Sequence, residues 1–348
     1  VITLLSGGLR GNKFLEGLLQ VTPQEELTIV VNAVNNIEIC GLDIFPDLEN
    51  MLFLLAGKLD IREWQTAESS FRLMNALSNK IPTLSYLIDR DWENIKDDTH
   101  SFMDAFSYLM NEDEFYGYFG DTFFAHVIFR EYLMTKGKSF SEAIGIIAEK
   151  LDIKACVLPT TDDKITLKIV TDQGKISLLE YRDKEIKGSI KEIKEIEFDG
   201  INNAKINSKV EDAFSNSDLI LIGPCNPLLN VLLFTDYLPT LRPIEKAIEK
   251  ASGNVIAISP VSGDEPIEQP LWRVMEEAVG FTGEVPQIAK KYQGLIDVLV
   301  INESDEKYKE QLEEMGIQVV VTNVNLGTQE NRTKLGEIIS RLVHTYLK

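Results

Sequence analysis

Six short runs rich in valine and isoleucine constrain what this chain can fold into. They cover residues 1–5, 27–31, 218–222, 254–258, 296–301 and 318–321, and each ends in a loop of small or polar residues. None alternates strictly between apolar and polar positions. Strands of that kind are buried on both faces, which is the condition of a parallel sheet. Helical spacing fills residues 13–19, 47–55 and 328–347. Strand and helix in alternation predict a three-layer, doubly wound, mostly parallel α/β fold of Rossmann-like type. Ligands of such folds sit outside the carboxyl ends of the strands, so the strand-end loops are where chemistry is expected.

Residues 1–60 and 201–348 are assigned to this core. Residues 61–154 read as a mainly helical cap on the acceptor side, and 155–200, with lysine, glutamate and alternating apolar positions, as an antiparallel β excursion. The net charge of −20 repels phosphate backbones and anionic lipid, and no basic stripe offsets it. Nucleic acid and membrane partners are therefore not expected. No run reaches the ~18 apolar residues of a membrane span, and the first residues lack the basic leader of a signal peptide. Three scattered cysteines, Cys40, Cys156 and Cys225, argue for a reducing compartment and a cytoplasmic protein.

Four stretches carry candidate chemistry. Ser6-Gly7-Gly8-Leu9-Arg10-Gly11-Asn12-Lys13 joins the first strand to the first helix. Glycines let backbone N–H groups approach a phosphate, the helix start favours an anion, and Arg10 and Lys13 add positive charge. The spacing is not that of a Walker A loop. Gly223-Pro224-Cys225-Asn226-Pro227 is a rigid strand-end loop in which Asn226 offers an amide and Cys225 reads as a packed thiol. Asp43 and Asp47 flank Pro46; Asp47 suits a helix start, and either carboxylate suits Mg²⁺. Asp121, His126 and Arg130 fall on one stretch, with His126 and Arg130 one helical turn apart.

In this order the loops resemble those of the CofD family, the 2-phospho-L-lactate transferases of coenzyme F-420 biosynthesis. Residues 6–13 resemble Ser-Gly-Gly-Thr-Gly-x-x-Lys. Asn32-Ala33-Val34-Asn35-Asn36, with Gly41-Leu42 and Pro46-Asp47-Leu48 after it, resembles Asn-Thr-x-Asp-Asp, Gly-Leu and Pro-Asp-Leu. Residues 120–127 resemble Gly-Asp-Arg-Asp-x-Ala-Thr-His, residues 222–227 resemble Ile-Gly-Pro-Ser-Asn-Pro, and residues 257–260 resemble Ala-Ile-Ser-Pro.

The resemblance implies a Mg²⁺-dependent transfer of a phospholactyl or phosphoenolpyruvyl group from a guanylyl-activated donor to the ribityl hydroxyl of a deazaflavin, with release of GMP. It implies a homodimer. It assigns Gly7, Gly8, Arg10, Gly11, Lys13, Asn226 and Ser259 to the nucleotide and its phosphates, and Asn32, Asn35, Asn36 and His126 to the acceptor. Asp47 and Asp121 become the catalytic candidates, and Asp43 with Asp47 the metal candidates.

The sequence departs from the pattern where substrate is expected. Asn35 and Asn36 stand for paired aspartates, Thr122 and Phe123 for Arg and Asp, and His126 falls one position early. Arg10 occupies a glycine position, where strain is expected. These departures keep open an alternative, a non-catalytic nucleotide- or sugar-nucleotide-binding regulator like the related gluconeogenesis-factor branch.

Overall fold

The computed structural model describes residues 1–34, 36–39, 42–60, 65–66, 120–178, 181, 184, 188–226, 246, 248–249, 254–261, 273–274, 276–278, 280–281 and 283–346. In chain order, β1 (Ile2–Ser6) leads to α1 (Gly8–Leu18), β2 (Leu27–Val31), a hairpin of β3 (Ile37–Ile39) and β4 (Leu42–Ile44), α2 (Pro46–Leu55), and a short pair, β5 (Leu59–Asp60) and β6 (Gln65–Thr66). Next come α3 (Asp121–Thr135), α4 (Phe140–Lys150), β7 (Cys156–Pro159), β8 (Thr166–Thr171), β9 (Gly174–Ser177) and β10 (Ile193–Asp199). The chain continues through α5 (Ser208–Ser215), β11 (Leu219–Ile222), β12 (Asn254–Ile258), α6 (Val285–Tyr292), β13 (Val298–Ile301), α7 (Lys309–Glu314), β14 (Gln318–Val321) and α8 (Gln329–Tyr346).

Seven of these strands form one parallel sheet in the order β14-β13-β12-β11-β1-β2-β7. The chain moves outward from β1 through β2 to β7, returns to the other side of β1 at β11, and moves outward again. That is the doubly wound nucleotide-binding order, and its crevice opens between the carboxyl ends of β1 and β11.

Burial follows the reading of the apolar runs. Every residue of β1, β11 and β13 is buried. Alternate residues feed two separate cores: Leu4, Leu219 and Leu221 face one, and Leu5, Ile220 and Ile222 the other.

The first core is closed by α1, α2, α4 and α8. Helices α1 and α8 touch backbone to backbone. A Cβ placed on Gly17 would lie 2.1 Å from the Arg332 carbonyl oxygen, and one on Gly336 would lie 2.4 Å from the Gly17 carbonyl oxygen. Beside this crossing Arg332 Nε donates to Glu16 at 2.6 Å, both side chains being nearly buried.

The described part of the stretch read as a cap completes the crossover into β7. A four-residue connection turns α3 into α4, so the two run antiparallel. Ser139 starts α4 through a capping box with Glu142. Ile144 and Ile147 of α4 share the first core with Ile29 and Val31 of β2. The cap reading for residues 61–64 and 67–119 falls outside the described residues.

The antiparallel sheet, ordered β10-β8-β9, buries Leu167, Ile169 and Ile176 in the second core. It begins at Thr166, because Cys156–Pro159 ahead of it belongs to the main sheet. No helix among the described residues is long and apolar enough to cross a membrane.

Candidate functional site

Two strand ends meet at the crevice, those of β1 and β11. Ser6 ends β1, and Gly223, just past β11, donates its N–H to Leu5 O at 2.9 Å. A Cβ on Gly11 would lie 2.3 Å from Ser6 Oγ, and one on Gly223 would lie 3.2 Å from the same atom. Gly11 therefore lets α1 start hard against the sheet, the part the last glycine plays in dinucleotide loops. Its expected place among the phosphate-binding groups has this packing reason beside it.

The left-handed backbone lies at Gly8, with φ +67°. Arg10 sits inside α1 without positive φ, so the strain expected there is absent. The start of α1 has no side-chain cap and no acidic residue in its first turn. Its leading N–H groups are left for an anion at the switch point. Gly7 is extended just ahead of them, and Arg10 and Lys13 are half-buried within α1.

The polar residues around this point fall into two kinds. Asn32, buried at the end of β2, accepts from Val34 N at 3.0 Å and donates its own N–H to Ser6 O at 3.4 Å. Asn36 spends its amide elsewhere: Nδ2 donates to Ile165 O at 2.8 Å, and Oδ1 accepts from Thr166 Oγ1 at 2.9 Å. It fastens the crevice loop to the antiparallel sheet. Ser259, fully buried after β12, closes a turn with Val261 through its hydroxyl. Cys225 is buried near Tyr292, the interior thiol expected, and Asn226 follows it half-buried. Asn35 lies outside the described residues.

Helices α2 and α3 carry the remaining candidates. Phe53 of α2 packs on Phe123 and His126 of α3, with ring centroids 6.1 Å and 5.1 Å away. Glu49, one turn earlier in α2, pairs with Arg130, one turn later in α3. The helices are thus antiparallel. Asp47 lies at the start of α2, near the Glu49–Arg130 end. Asp121 lies at the start of α3, nine residues from Arg130, or about 13 Å along the axis.

Two contacts identify the edges. Leu55 O, at the far end of α2, accepts from Gln24 ahead of β2, on the amino side. Ser141, at the start of α4, donates to Asp162 past the end of β7, on the carboxyl side. Asp47 therefore stands at the crevice edge and Asp121 toward the opposite edge, so the structure does not bring these two carboxylates together.

Around Asp47 the packing is dense and charged. Arg130 and Glu49 are both fully buried, and Glu49 also accepts from Phe45 N. Arg130 donates to the Asp43 carbonyl and to Glu131, and its guanidinium lies 5.0 Å from the Phe45 ring centroid and 5.6 Å from that of Phe140. Burial pushes the Glu49 carboxyl up to about 8 against the pull of Arg130. Burial and the nearby Arg130 charge hold His126 down at about 4, so its ring is neutral at pH 7. The Asp43 carboxylate is paired with Lys164 at 2.6 Å. The sequence set Asp121, His126 and Arg130 on one stretch and the resemblance gave His126 to the acceptor; Arg130 braces the loop that carries Asp43 and Asp47.

A family model described as 2-phospho-L-lactate transferase CofD matches residues 2–339. The chain belongs to the CofD family. Similar curated proteins are the 2-phospho-L-lactate transferases of Methanococcoides burtonii, 30% identical over 94% of each chain, and of Methanocaldococcus jannaschii, 28% identical over 97% of each. A solved structure of a upf0052-family member from Bacillus halodurans superposes with TM-score 0.53 at 16% identity, covering 97% of this chain and 98% of that one. It shares the fold.

Within this CofD chain, the groups on or beside the switch point are Gly7, Gly8, Asn32, Asn226 and Ser259. Asp47 stands at the same edge of the sheet. Among the described residues no three of His, Cys, Asp and Glu gather to hold a metal. A cage made of protein ligands alone therefore does not fit the described residues. A Mg²⁺ carried on substrate phosphates asks for only one or two carboxylates; Asp47 offers one at this edge, while the Asp43 carboxylate is already paired with Lys164. Thr160 and Asn207, buried polar residues at the same edge, lie in none of the stretches that the sequence singled out.

Proposed function

We propose that this protein moves a phospholactyl or phosphoenolpyruvyl group from a guanylyl-activated donor to the terminal ribityl hydroxyl of a deazaflavin. The acceptor hydroxyl gives up its proton to solvent as its oxygen bonds to the phosphorus of the phospho-acid, the bond from that phosphorus to the bridging oxygen breaks, and GMP leaves with that oxygen. The observation that carries this reading is the uncapped, acid-free start of α1 directly behind left-handed Gly8 at the switch point. Family membership over residues 2–339 supports it.

Chemistry of this kind rests on placement and charge neutralisation. The N–H groups behind Gly7 and Gly8 would hold the donor phosphates, with Arg10 and Lys13 adding charge from α1. Asn226 and Ser259 would lie along the nucleotide, while Asn32 and the loop after it face the acceptor. Asp47 would hold a Mg²⁺ arriving with the donor, and that ion would neutralise the departing phosphate. A homodimer in the cytoplasm belongs to the same proposal.

A second reading, a nucleotide-binding protein without turnover, is favoured by one observation. Asn36, where the family pattern has an aspartate, is fully engaged in holding the antiparallel sheet. Calorimetry with GMP, GDP and the deazaflavin, with and without Mg²⁺, tests the shared part of both readings. Guanine-nucleotide binding that strengthens with Mg²⁺, together with deazaflavin binding, is expected. Binding of neither ligand would overturn the proposal.

A further inference from the structure

Among the described residues four large apolar side chains are exposed, and two of them lie one turn apart on α3: Ile128 at 50% and Tyr132 at 53%. A single exposed apolar side chain is ordinary. Here the whole outer face of the helix lacks charge. Its exposed residues ahead of Lys136 are Thr122, Ala125, Ile128, Tyr132 and Thr135. The Tyr132 ring stacks on Phe129, centroids 6.5 Å apart, and widens the apolar surface. Between Asp121 and Lys136 the charged residues are Arg130, which is buried, and Glu131, which pairs with it. The outer face of a surface helix ordinarily carries the charges.

Ala125 and Tyr132 are seven residues apart, as are Ile128 and Thr135. That is the seam of a helix that packs lengthwise along a second helix. On its inner side α3 already meets α2, where Phe123 packs on Phe53 and Arg130 pairs with Glu49. The outer seam stays open to solvent.

The seam is complementary to itself. Laid antiparallel about a two-fold axis near Arg130, it sets Ile128 of each copy against Tyr132 of the other, and Ala125 against Thr135. The charges at the ends agree. Asp121 stands at the start of α3, and Lys136 and Lys138 just past its end, so each acidic end meets the other copy's basic end. Surfaces of a chain with net charge −20 repel one another, and a face without charge is where two copies can approach.

We infer that α3 is the helix through which two copies of this chain pair, antiparallel about a two-fold axis. This rests on the homodimer in the proposed function and names its surface. The inner face of the same helix carries Arg130, which holds the Asp43 carbonyl, so the contact backs the support of the crevice loop. One helix pair lies at the small end of specific interfaces, under about 1,200 Å². A reversible dimer with a Kd of about micromolar is therefore expected.

The test is sedimentation velocity of the full-length protein, from well below to well above that concentration. Ile128→Glu puts a carboxylate at the centre of the seam, on a position that folding leaves exposed. It is expected to weaken the dimer by about tenfold or more, with GMP affinity and melting temperature near wild type. Orientation is read by cross-linking. Ala125→Cys and Thr135→Cys chains, mixed and oxidised, are expected to give a disulfide between the two engineered positions, identified by peptide mass spectrometry. Neither variant alone is expected to join through its engineered cysteine, because antiparallel seating holds like positions about 15 Å apart along the axis.

A wild-type dimer that Ile128→Glu leaves intact, or Ala125→Cys chains that couple to one another, overturns the inference and leaves the homodimer standing. A wild type that stays monomeric throughout overturns the inference and the homodimer together, while GMP binding on the same samples still reports on the nucleotide site. If Ile128→Glu also melts lower in such a monomer, the face is covered within one chain. Should Ile128→Glu lose the dimer and melting temperature together, the mixed cross-link decides, and its absence overturns the inference.

Discussion

Replacement of Arg130 by methionine is expected to destabilise the protein by about 3–5 kcal/mol above pH 8, where Glu49 is ionised and loses the partner of a buried ion pair. Glu49 is the residue left behind. It is fully buried, and Arg130 is the largest influence holding its carboxyl down. The same guanidinium holds the Asp43 carbonyl and lies over Phe45 and Phe140, so its loss also frees the crevice loop from α3.

The loss depends on pH with a definite sign. The folded carboxyl already titrates at about 8, above the 4.5 of an ordinary glutamate. Between those values the folded state keeps a proton that the unfolded state releases, so the contribution of this group to stability falls as pH rises. Without Arg130 the folded value rises further. The two proteins lose stability in parallel until the wild-type carboxyl ionises, so urea unfolding of Arg130→Met is expected to show a larger deficit at pH 9 than at pH 5. Adding Glu49→Leu should recover much of it by removing the stranded charge. An equal deficit at both pH values, or no recovery in the double variant, contradicts this account of the pair.

Gly17→Ala is the second large effect. In a helix interior, alanine is favoured over glycine by up to about 1 kcal/mol. Here the new Cβ would meet a backbone carbonyl at 2.1 Å, and a carbonyl on a long helix cannot swing away. The helices must separate, and overpacking of this kind costs about 1–3 kcal/mol, occasionally more. Steric cost outweighs propensity, so the variant is expected to melt lower. Gly145→Ala is the matched control. Gly145 lies in α4, and its Cβ would meet nothing within 4 Å, so propensity alone should act and the melting temperature should hold or rise. Because α1 also carries the start of the crevice, Gly17→Ala should weaken GMP binding as well. Equal melting temperatures for the two variants would mean that the α1–α8 contact is not as close as described.

What could be read from sequence was set by how local the cause is. The strands of the main sheet stood out because burial on both faces leaves unbroken valine and isoleucine runs, as in Leu219–Ile222 and Val298–Ile301. Cys156–Pro159 was passed over as a main-sheet strand: it is four residues long, ends in proline, and is separated from its partner β2 by more than a hundred residues. The helix start near Pro46 was legible from proline chemistry, whereas the first helix starts at Gly8, ahead of the helical spacing read from residue 13.

The site was legible only in part, because side-chain partners distant in sequence decide it. Asn36 reads as a spare polar group until Ile165 and Thr166 come beside it. Asp47 and Asp121 both read as crevice carboxylates, and only the antiparallel packing of α2 on α3 sends them to different edges. Glu49 in a run of apolar residues was a signal that passed unused. A charge on the buried side of a helix asks for a partner, and Arg130 supplies it.

The central claim, transfer of a phospho-acid group from guanylyl donor to deazaflavin, is tested most directly by its products. Purified protein would be incubated with the guanylyl-activated phospho-acid, the deazaflavin and Mg²⁺, and the mixture followed by mass spectrometry. The account predicts that the deazaflavin phosphodiester and GMP accumulate in equal amounts. Failure to form the phosphodiester while both ligands bind would contradict it, and would assign the crevice to a nucleotide-binding protein without turnover.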